Sequence, residues 1–412
     1  MRLTNMKLLP ILFLISFSVS GQLTWTAINN DGHDNRALDF TNPNDGWMIV
    51  EDTNFYFMSI EHTPDAGGTW VNQFTTGSKE YLTDIEMNES YGYASGGGED
   101  IQFNTNWGFY LSTSNFGTNW DDYSRPYSCS AISFTTQDNF STGGYDMNTG
   151  SNFWLSRHLG VDNESTINPH PFLCVEHANH DTVWAGSING TILFSGDGGI
   201  TWSGQIVGSQ NIVRIHFIDS DNGWAIGEYG ETLQTTDGGT TWSIGDVSLL
   251  DLNSKATSIV ALSPDVVFVS QGEDTTTWSS NGVGKVFSTY DGGLTWNLEH
   301  TCSHPLLDID YDGVHIWTCG YRGELWRSSQ YVGITEIEIS INVFPNPVQS
   351  SNSIKVECKA PIVRLELYNV SGQLIQSVDN SDNMRVDAVK GVYILQVVTG
   401  LGIATKKILV KA

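Results

Sequence analysis

The sequence predicts an all-β chain: a seven-bladed β-propeller followed by a small Ig-like β-sandwich. Three observations predict it. The 412 residues include 42 Gly, 14 Trp, 15 Tyr and 18 Phe but only 16% charged residues, which suits short strands and tight turns rather than long helices. An eight-residue pattern, Ser/Thr-x-Asp-x-Gly-x-Thr-Trp, recurs four times between strand-like runs. After Ile334 the repeat gives way to period-two alternation with short turns.

The N-terminus reads as a secretory signal over 1–21. Arg2 and Lys7 flank the start of the apolar Leu8–Phe17, and small residues follow at Ser18–Gly21. No Cys sits at the junction, so a lipid anchor is not expected. No later apolar run reaches about 18 residues, so no transmembrane helix is expected.

Repeat units over 22–335 fall at 38–70, 82–120, 131–167, 173–202, 212–242, 256–296 and 306–333. A period of about 40 residues with four strands per unit is that of propeller blades. The count is seven, with six and eight open. The last unit lacks an outer strand. "GQLTWTAI" at 21–28 supplies the Thr-Trp that elsewhere follows the repeat, and is expected to close the ring.

The four copies place Asp65, Asp197, Asp237 and Asp291 where a carboxylate can accept hydrogen bonds from backbone N–H groups a few residues on. Gly permits positive φ at the tip. Trp70, Trp202, Trp242 and Trp296 each bury a large apolar surface against the sheet. Thr113–Trp120 is a variant with Asn115 in place of Asp. These copies resemble the Asp-box, or BNR repeat, of sialidase-like propellers. The longer unit "IHFIDSDNGWAIGEYGETLQTTDGGTTW" resembles the propellers of photosystem II assembly factors. The resemblance implies scaffold, not activity. The Phe/Tyr-Arg-Ile-Pro motif and arginine triad of sialidases are missing from the sequence, so sialidase activity is not expected.

The C-terminal segment, 336–412, contains "VFPNP" (Val343–Pro347), "LYNVSGQLI" (Leu367–Ile375), "GVYILQV" (Gly391–Val397) and "KKILVK" (Lys406–Lys411). It resembles the type A C-terminal sorting domain of the type IX secretion system. That resemblance implies Sec-dependent export, then passage through a type IX translocon as partner, and a secreted or cell-surface location.

Charge is divided unevenly. Residues 22–339 carry 9 basic and 41 acidic side chains, whereas 340–412 carries 8 basic and 5 acidic. The acidic part repels phosphate backbones, which excludes nucleic acid as a natural partner. Of five cysteines, Cys302 and Cys319 are close enough in sequence to suggest a disulfide. None has zinc-type spacing, so no metal is expected.

Ligand contacts are expected on the longer loops between second and third strands. These carry Glu99, Asp100, Trp107, Tyr145, Asp146, Glu273, Asp274 and Trp278. Carboxylates beside flat aromatics suit a sugar, and a suitably spaced pair could hydrolyse a glycosidic bond. A second candidate set, Asp39, Glu86, Glu176, Arg214, His216 and Asp308, falls at similar positions on the innermost strands, facing an axial channel. "DIDYDG" (Asp308–Gly313) resembles the start of a calcium loop, but the twelfth position is Cys319 rather than Glu. No cofactor is therefore expected, with calcium the one candidate. The sequence favours a glycan- or protein-binding module, with a glycoside hydrolase or an assembly factor as alternatives.

Overall fold

The computed structural model describes residues 23–28, 32–52, 57–88, 90–100, 105–146, 151–167, 171–247, 254–274, 282–330, 341–358, 362–369, 373–379, 381–399 and 402–411. The expected signal at 1–21 lies outside them. The chain divides into two compact units, Met1–Tyr331 and Val332–Ala412.

The first unit holds seven four-stranded antiparallel sheets among the described residues. β1 (Trp25–Ala27) belongs to the last of them. The first sheet is β2 (Asp34–Phe40), β3 (Gly46–Asp52), β4 (Phe57–Thr63) and β5 (Val71–Thr75). The second is β6 (Glu80–Met87), β7 (Gly92–Asp100), β8 (Thr105–Thr113) and β9 (Asp121–Arg125). The third is β10 (Ser128–Thr136), β11 (Asn139–Asp146), β12 (Ser151–His158) and β13 (Val161–Ile167). The fourth is β14 (Cys174–His177), β15 (Val183–Gly186), β16 (Thr191–Ser195) and β17 (Ser203–Ile206). The fifth is β18 (Ile212–Phe217), β19 (Gly223–Gly227), β20 (Glu231–Thr235) and β21 (Ser243–Asp246). The sixth is β22 (Ser254–Ser263), β23 (Val266–Asp274), β24 (Gly284–Thr289) and β25 (Asn297–Cys302). The seventh is β26 (Leu306–Tyr311), β27 (Ile316–Gly320) and β28 (Leu325–Ser328), completed by β1 with Trp25 opposite Ser328. The first strand of each sheet contacts the first strand of the next, and β26 contacts β2, so the sheets close into a ring.

The repeated hairpins join third to fourth strands, and their hydrogen bonds explain the sequence pattern. The hydroxyl of Thr63, Ser195, Thr235 or Thr289 accepts the N–H of Gly67, Gly199, Gly239 or Gly293 at 2.8 Å. One oxygen of Asp65, Asp197, Asp237 or Asp291 accepts the N–H four residues on, at 2.7–2.9 Å. The other oxygen accepts that residue's threonine hydroxyl. The backbone N–H groups of Thr69 and Thr241 thereby hold the carboxyls of Asp65 and Asp237 below the usual range.

The hairpins also join neighbouring sheets. Gly239, at φ +76°, lies so close to Trp184 of the fourth sheet that an added Cβ would sit 2.2 Å from its ring. Gly67, Gly199 and Gly293 approach Trp317, Trp154 and Trp224 of their preceding sheets in the same way. The hairpin tryptophans reinforce this contact: Trp202 meets Trp154 edge-on at 4.6 Å, and Trp242 meets Trp184 at 6.0 Å.

The second unit has two sheets. One is ordered β29 (Ile341–Phe344), β31 (Ser353–Cys358), β34 (Asn383–Arg385). The other is ordered β30 (Val348–Gln349), β36 (Gly402–Lys411), β35 (Gly391–Thr399), β32 (Ile362–Asn369), β33 (Leu374–Asp379). Ile354, Val356, Leu365, Leu367, Leu395, Val397, Ile408 and Val410 form their shared core. Asn346 explains part of the Pro-Asn-Pro signature. Its flanking prolines have no N–H to offer β36. The Asn346 amide donates instead to the Lys407 carbonyl at 2.7 Å and accepts the Leu409 N–H at 3.0 Å. Asn346→Ala is expected to cost about 1–2 kcal/mol locally. Amide exchange at Leu409 should then accelerate several-fold in the intact chain; unchanged protection would refute this role.

Candidate functional site

The innermost strands place one residue of each sheet opposite the first bulky residue of the second strand. Asp39 faces Trp47, Glu86 faces Tyr93, Glu176 faces Trp184, His216 faces Trp224 and Asp310 faces Trp317. Ser133 and Val260 hold the equivalent positions in the third and sixth sheets, opposite Ser141 and Phe268. A cavity of about 150 Å³ is lined by Asp39, Asp84, Glu86, Glu176, Arg214, His216 and Asp310, with apolar residues between them.

The polar groups spend themselves on neighbouring strands. Asp39 accepts the N–H of Met87 at 2.7 Å, Glu86 that of Phe134 at 3.1 Å, and Ser133 that of His177 at 3.0 Å. Glu176 accepts the N–H of Phe217 at 3.4 Å, and Asp310 that of Phe40 at 2.8 Å. Two residues back along their strands, Asp84 and Asp308 accept the N–H groups of Ile132 and Leu38. An innermost strand is an edge strand, with N–H groups that its own sheet cannot satisfy. In the first five sheets a side chain of the preceding sheet around the ring satisfies one or more of them.

Arg214 crosses the axis. Its Nη1 is 3.4 Å from Asp84 Oδ1 in the second sheet, and its Nη2 is 3.6 Å from Asp308 Oδ1 in the seventh. Burial alone would lower its pKa, but these two carboxylates outweigh it and raise it. Burial pushes Glu176 and Asp310 up to about 7. Burial and the Asp310 charge raise Asp39 well above the usual carboxylate range, and burial with the Glu176 charge does the same for Glu86. Burial, then the Arg214 charge, lowers His216 to about 4.

The consequence for stability has a definite sign. Between about pH 4 and pH 7 the folded chain holds more protons on Glu176 and Asp310 than the unfolded chain does. Their contribution is therefore greatest below the unfolded carboxyl pKa and is lost as pH rises through about 7. His216 and His177, both lowered to about 4, act oppositely between about 4 and 6.5. Above pH 6.5 the carboxyls act unopposed by these histidines, so the melting temperature is expected to fall from pH 6.5 to 8. Glu176→Gln keeps an acceptor for Phe217 and should flatten that slope. An equal slope in wild type and variant would refute the assignment.

Of the channel residues expected from sequence, five line the cavity. Asp308 stands behind it, against Arg214 and Leu38. Sequence reading missed Asp84, Ser133 and Asp310. Register counting back from Trp317, the first aromatic of its second strand, would have found Asp310; in the third sheet the first aromatic, Phe140, faces Phe134, one place from Ser133. Sequence reading also missed a buried Ser–His pair, with Ser141 Oγ 2.7 Å from His177 Nε2. Ser141 has no exposed surface, so that pair packs the core rather than meeting a substrate.

The loop placement of the other candidate set requires correction. Glu99, Asp100, Trp107, Tyr145, Asp146, Glu273 and Asp274 are not loop residues. They sit on β7, β8, β11 and β23, whose ladders continue with Glu99 opposite Asn106, Tyr145 opposite Asn152 and Asp274 opposite Ser254. The second, third and sixth sheets are simply taller than the others. Trp278 lies outside the described residues. The set is divided among three sheets, with the sixth not adjacent to the other two.

Cys302 and Cys319 are free thiols rather than a disulfide. Cys302 packs in the apolar cluster with Val286 and Leu306, and Cys319 in a separate cluster with Leu38 and Met48. Asp308 and Asp310 are taken up by backbone N–H groups of β2. Asp312 instead accepts Trp317 Nε1 at 2.8 Å and His315 Nδ1 at 2.9 Å. Among the described residues no three His, Cys, Asp or Glu side chains converge as metal ligands.

Residues 342–411 match the family described as secretion system C-terminal sorting domain. No curated protein matches the chain. Among solved structures, YCF48 from Cyanidioschyzon merolae is 14% identical with a TM-score of 0.53, over 74% of this chain and 98% of that one. A structure of YCF48 bound to D1 peptide is 14% identical with a TM-score of 0.54, over 75% and 97%. A chain of the mitotic checkpoint complex is 12% identical with a TM-score of 0.52, over 75% and 95%. At such identities the likeness is one of fold. The chain thus joins a β-propeller to a C-terminal sorting domain, the mark of type IX secretion to the cell surface.

Proposed function

We propose that this is a seven-bladed, Asp-box propeller exported to the cell surface, where it binds a glycan or protein without turning it over. The observation that carries this reading is the sorting domain at 342–411. In this reading Leu8–Phe17 is the apolar part of a Sec signal, removed before or during export. The second unit is an Ig-like sandwich that addresses the chain to the translocon. The axial carboxyls favour binding over catalysis, because each commits an oxygen to a neighbouring strand's N–H. The structure of YCF48 bound to D1 peptide brings peptides into consideration beside glycans. No cofactor enters the reading.

The test has two arms. Full-length chain expressed in a bacterium with type IX secretion should reach the surface or medium. Purified chain should retain members of a glycan or peptide panel without releasing reducing ends from polysaccharides. Sustained release of reducing ends would replace the binding reading with a glycoside hydrolase.

A further inference from the structure

The five-stranded sheet of the second unit has two unlike faces. Inward residues of β35, Leu395 and Val397, are fully buried in the core, as a half-buried antiparallel sheet requires. The outward positions of that strand should then be polar. Instead they include Val392 and Ile394. Ile394 pairs with Tyr368 on β32 and Lys407 on β36, and Val392 pairs with Leu409. Ile394 is 36% exposed and Leu409 40%. The Tyr368 hydroxyl is tied to Glu366, which leaves its ring on the surface side of the sheet. Four apolar side chains are therefore contiguous where alternation predicts solvent.

The charge around this patch is of one sign on the β36 side, where Lys407 and Lys411 are both exposed. Glu366 lies farther along β32 and is paired with Arg364 at 2.9 Å. A second copy docking face to face would bring these lysines against their own duplicates, which is unfavourable. The patch instead complements an apolar protein surface with a carboxylate rim.

We propose that this outward face, centred on Ile394, Leu409 and Lys407, is the surface by which the sorting domain docks on an acidic-rimmed component of the export machinery. The inference rests on the export reading above and names the contact through which export is addressed. Lys407 supplies the charge that selects the partner, and the apolar residues supply the area buried.

Secreted and periplasmic amounts of the full chain are compared in a bacterium with type IX secretion, with the melting temperature measured on each purified variant. Ile394→Thr, Leu409→Thr and Lys407→Glu are each expected to lower the secreted fraction at least fivefold, with periplasmic accumulation and melting within about 2 °C of wild type. Lys407→Arg should restore export. Val389→Thr is the control, because Val389 is 78% exposed and is not on this sheet. Deletion of 342–411 separates the two claims. Export persisting after deletion overturns the export reading. Export lost on deletion but normal in Ile394→Thr, Leu409→Thr and Lys407→Glu overturns the docking face alone. A wild-type dimer in sedimentation that Leu409→Thr dissociates without affecting export would assign the face to a second copy, and also overturn the proposal.

Discussion

Gly239→Ala is expected to lower the melting temperature of the chain by roughly 4–10 °C. Two costs add at this position. The residue sits at φ +76°, where an L side chain costs about 1–2 kcal/mol. The new Cβ would also fall 2.2 Å from Trp184, so the indole must move within a packed seam, which costs about 1–3 kcal/mol. Together these reach about 2–5 kcal/mol, and a unit of this size loses roughly 2 °C per kcal/mol. The contrast with Gly238→Ala makes the test specific. Gly238, at φ +62°, has the Ser220 carbonyl 2.9 Å from its added Cβ but no indole. It should lose less. Equal losses at the two positions would show that backbone strain, and not the seam with the fourth sheet, sets the cost.

Arg214→Met should destabilise the ring by about 2–4 kcal/mol at pH 8, and by clearly less at pH 5. Among the described residues the guanidinium is the one Lys or Arg cation lining the axial cavity, between Asp84 and Asp308. Removing one member of such a group strands the others as unpaired buried charges. At low pH the stranded Asp84 can escape by taking up a proton, as burial already raises its carboxyl. Denaturant melts at both pH values would measure the difference. A loss of the same size at pH 5 and pH 8 would mean that Arg214 acts by packing alone. Arg214→Lys keeps the charge but not the forked geometry that reaches two sheets, and is expected to fall between.

The hairpins were the most legible part of this molecule. Thr235, Asp237, Gly239, Thr241 and Trp242 perform their structural work within eight residues, so local pattern contains the whole hydrogen-bond set. What lay hidden was everything that passes between sheets. Nothing near Gly239 announces that Trp184, 55 positions earlier, is what it touches. The inner-strand acids were visible as a recurrence, but their task was not. Asp39 looks free for a ligand until Met87 is found 2.7 Å away. The long second-to-third connections misled for another reason. Gly, Asn and Thr in "GGGEDIQFNTNWG" read as loop composition, yet the ladder runs through Gly98, Glu99 and Asp100 because paired backbones outweigh weak strand propensity. Disulfide reasoning from spacing failed similarly: Cys302 and Cys319 are 17 residues apart, but one ends the sixth sheet and the other lies inside the seventh.

β1 gives the propeller a buckle. Trp25 lies opposite Ser328, so the seventh sheet is finished by residues separated by nearly the whole unit. His300 of β25 stacks on Trp25 at 5.0 Å and also meets Trp326 of β28, which presses the strap into place from the side. Such a ring fastens only when its earliest and latest segments are present together in one compartment, and that lends it the slow, all-or-none assembly of a high-contact-order fold. A chain trimmed past Ala27 would leave β28 as a bare ladder rung, ready to borrow the missing strand from a neighbour.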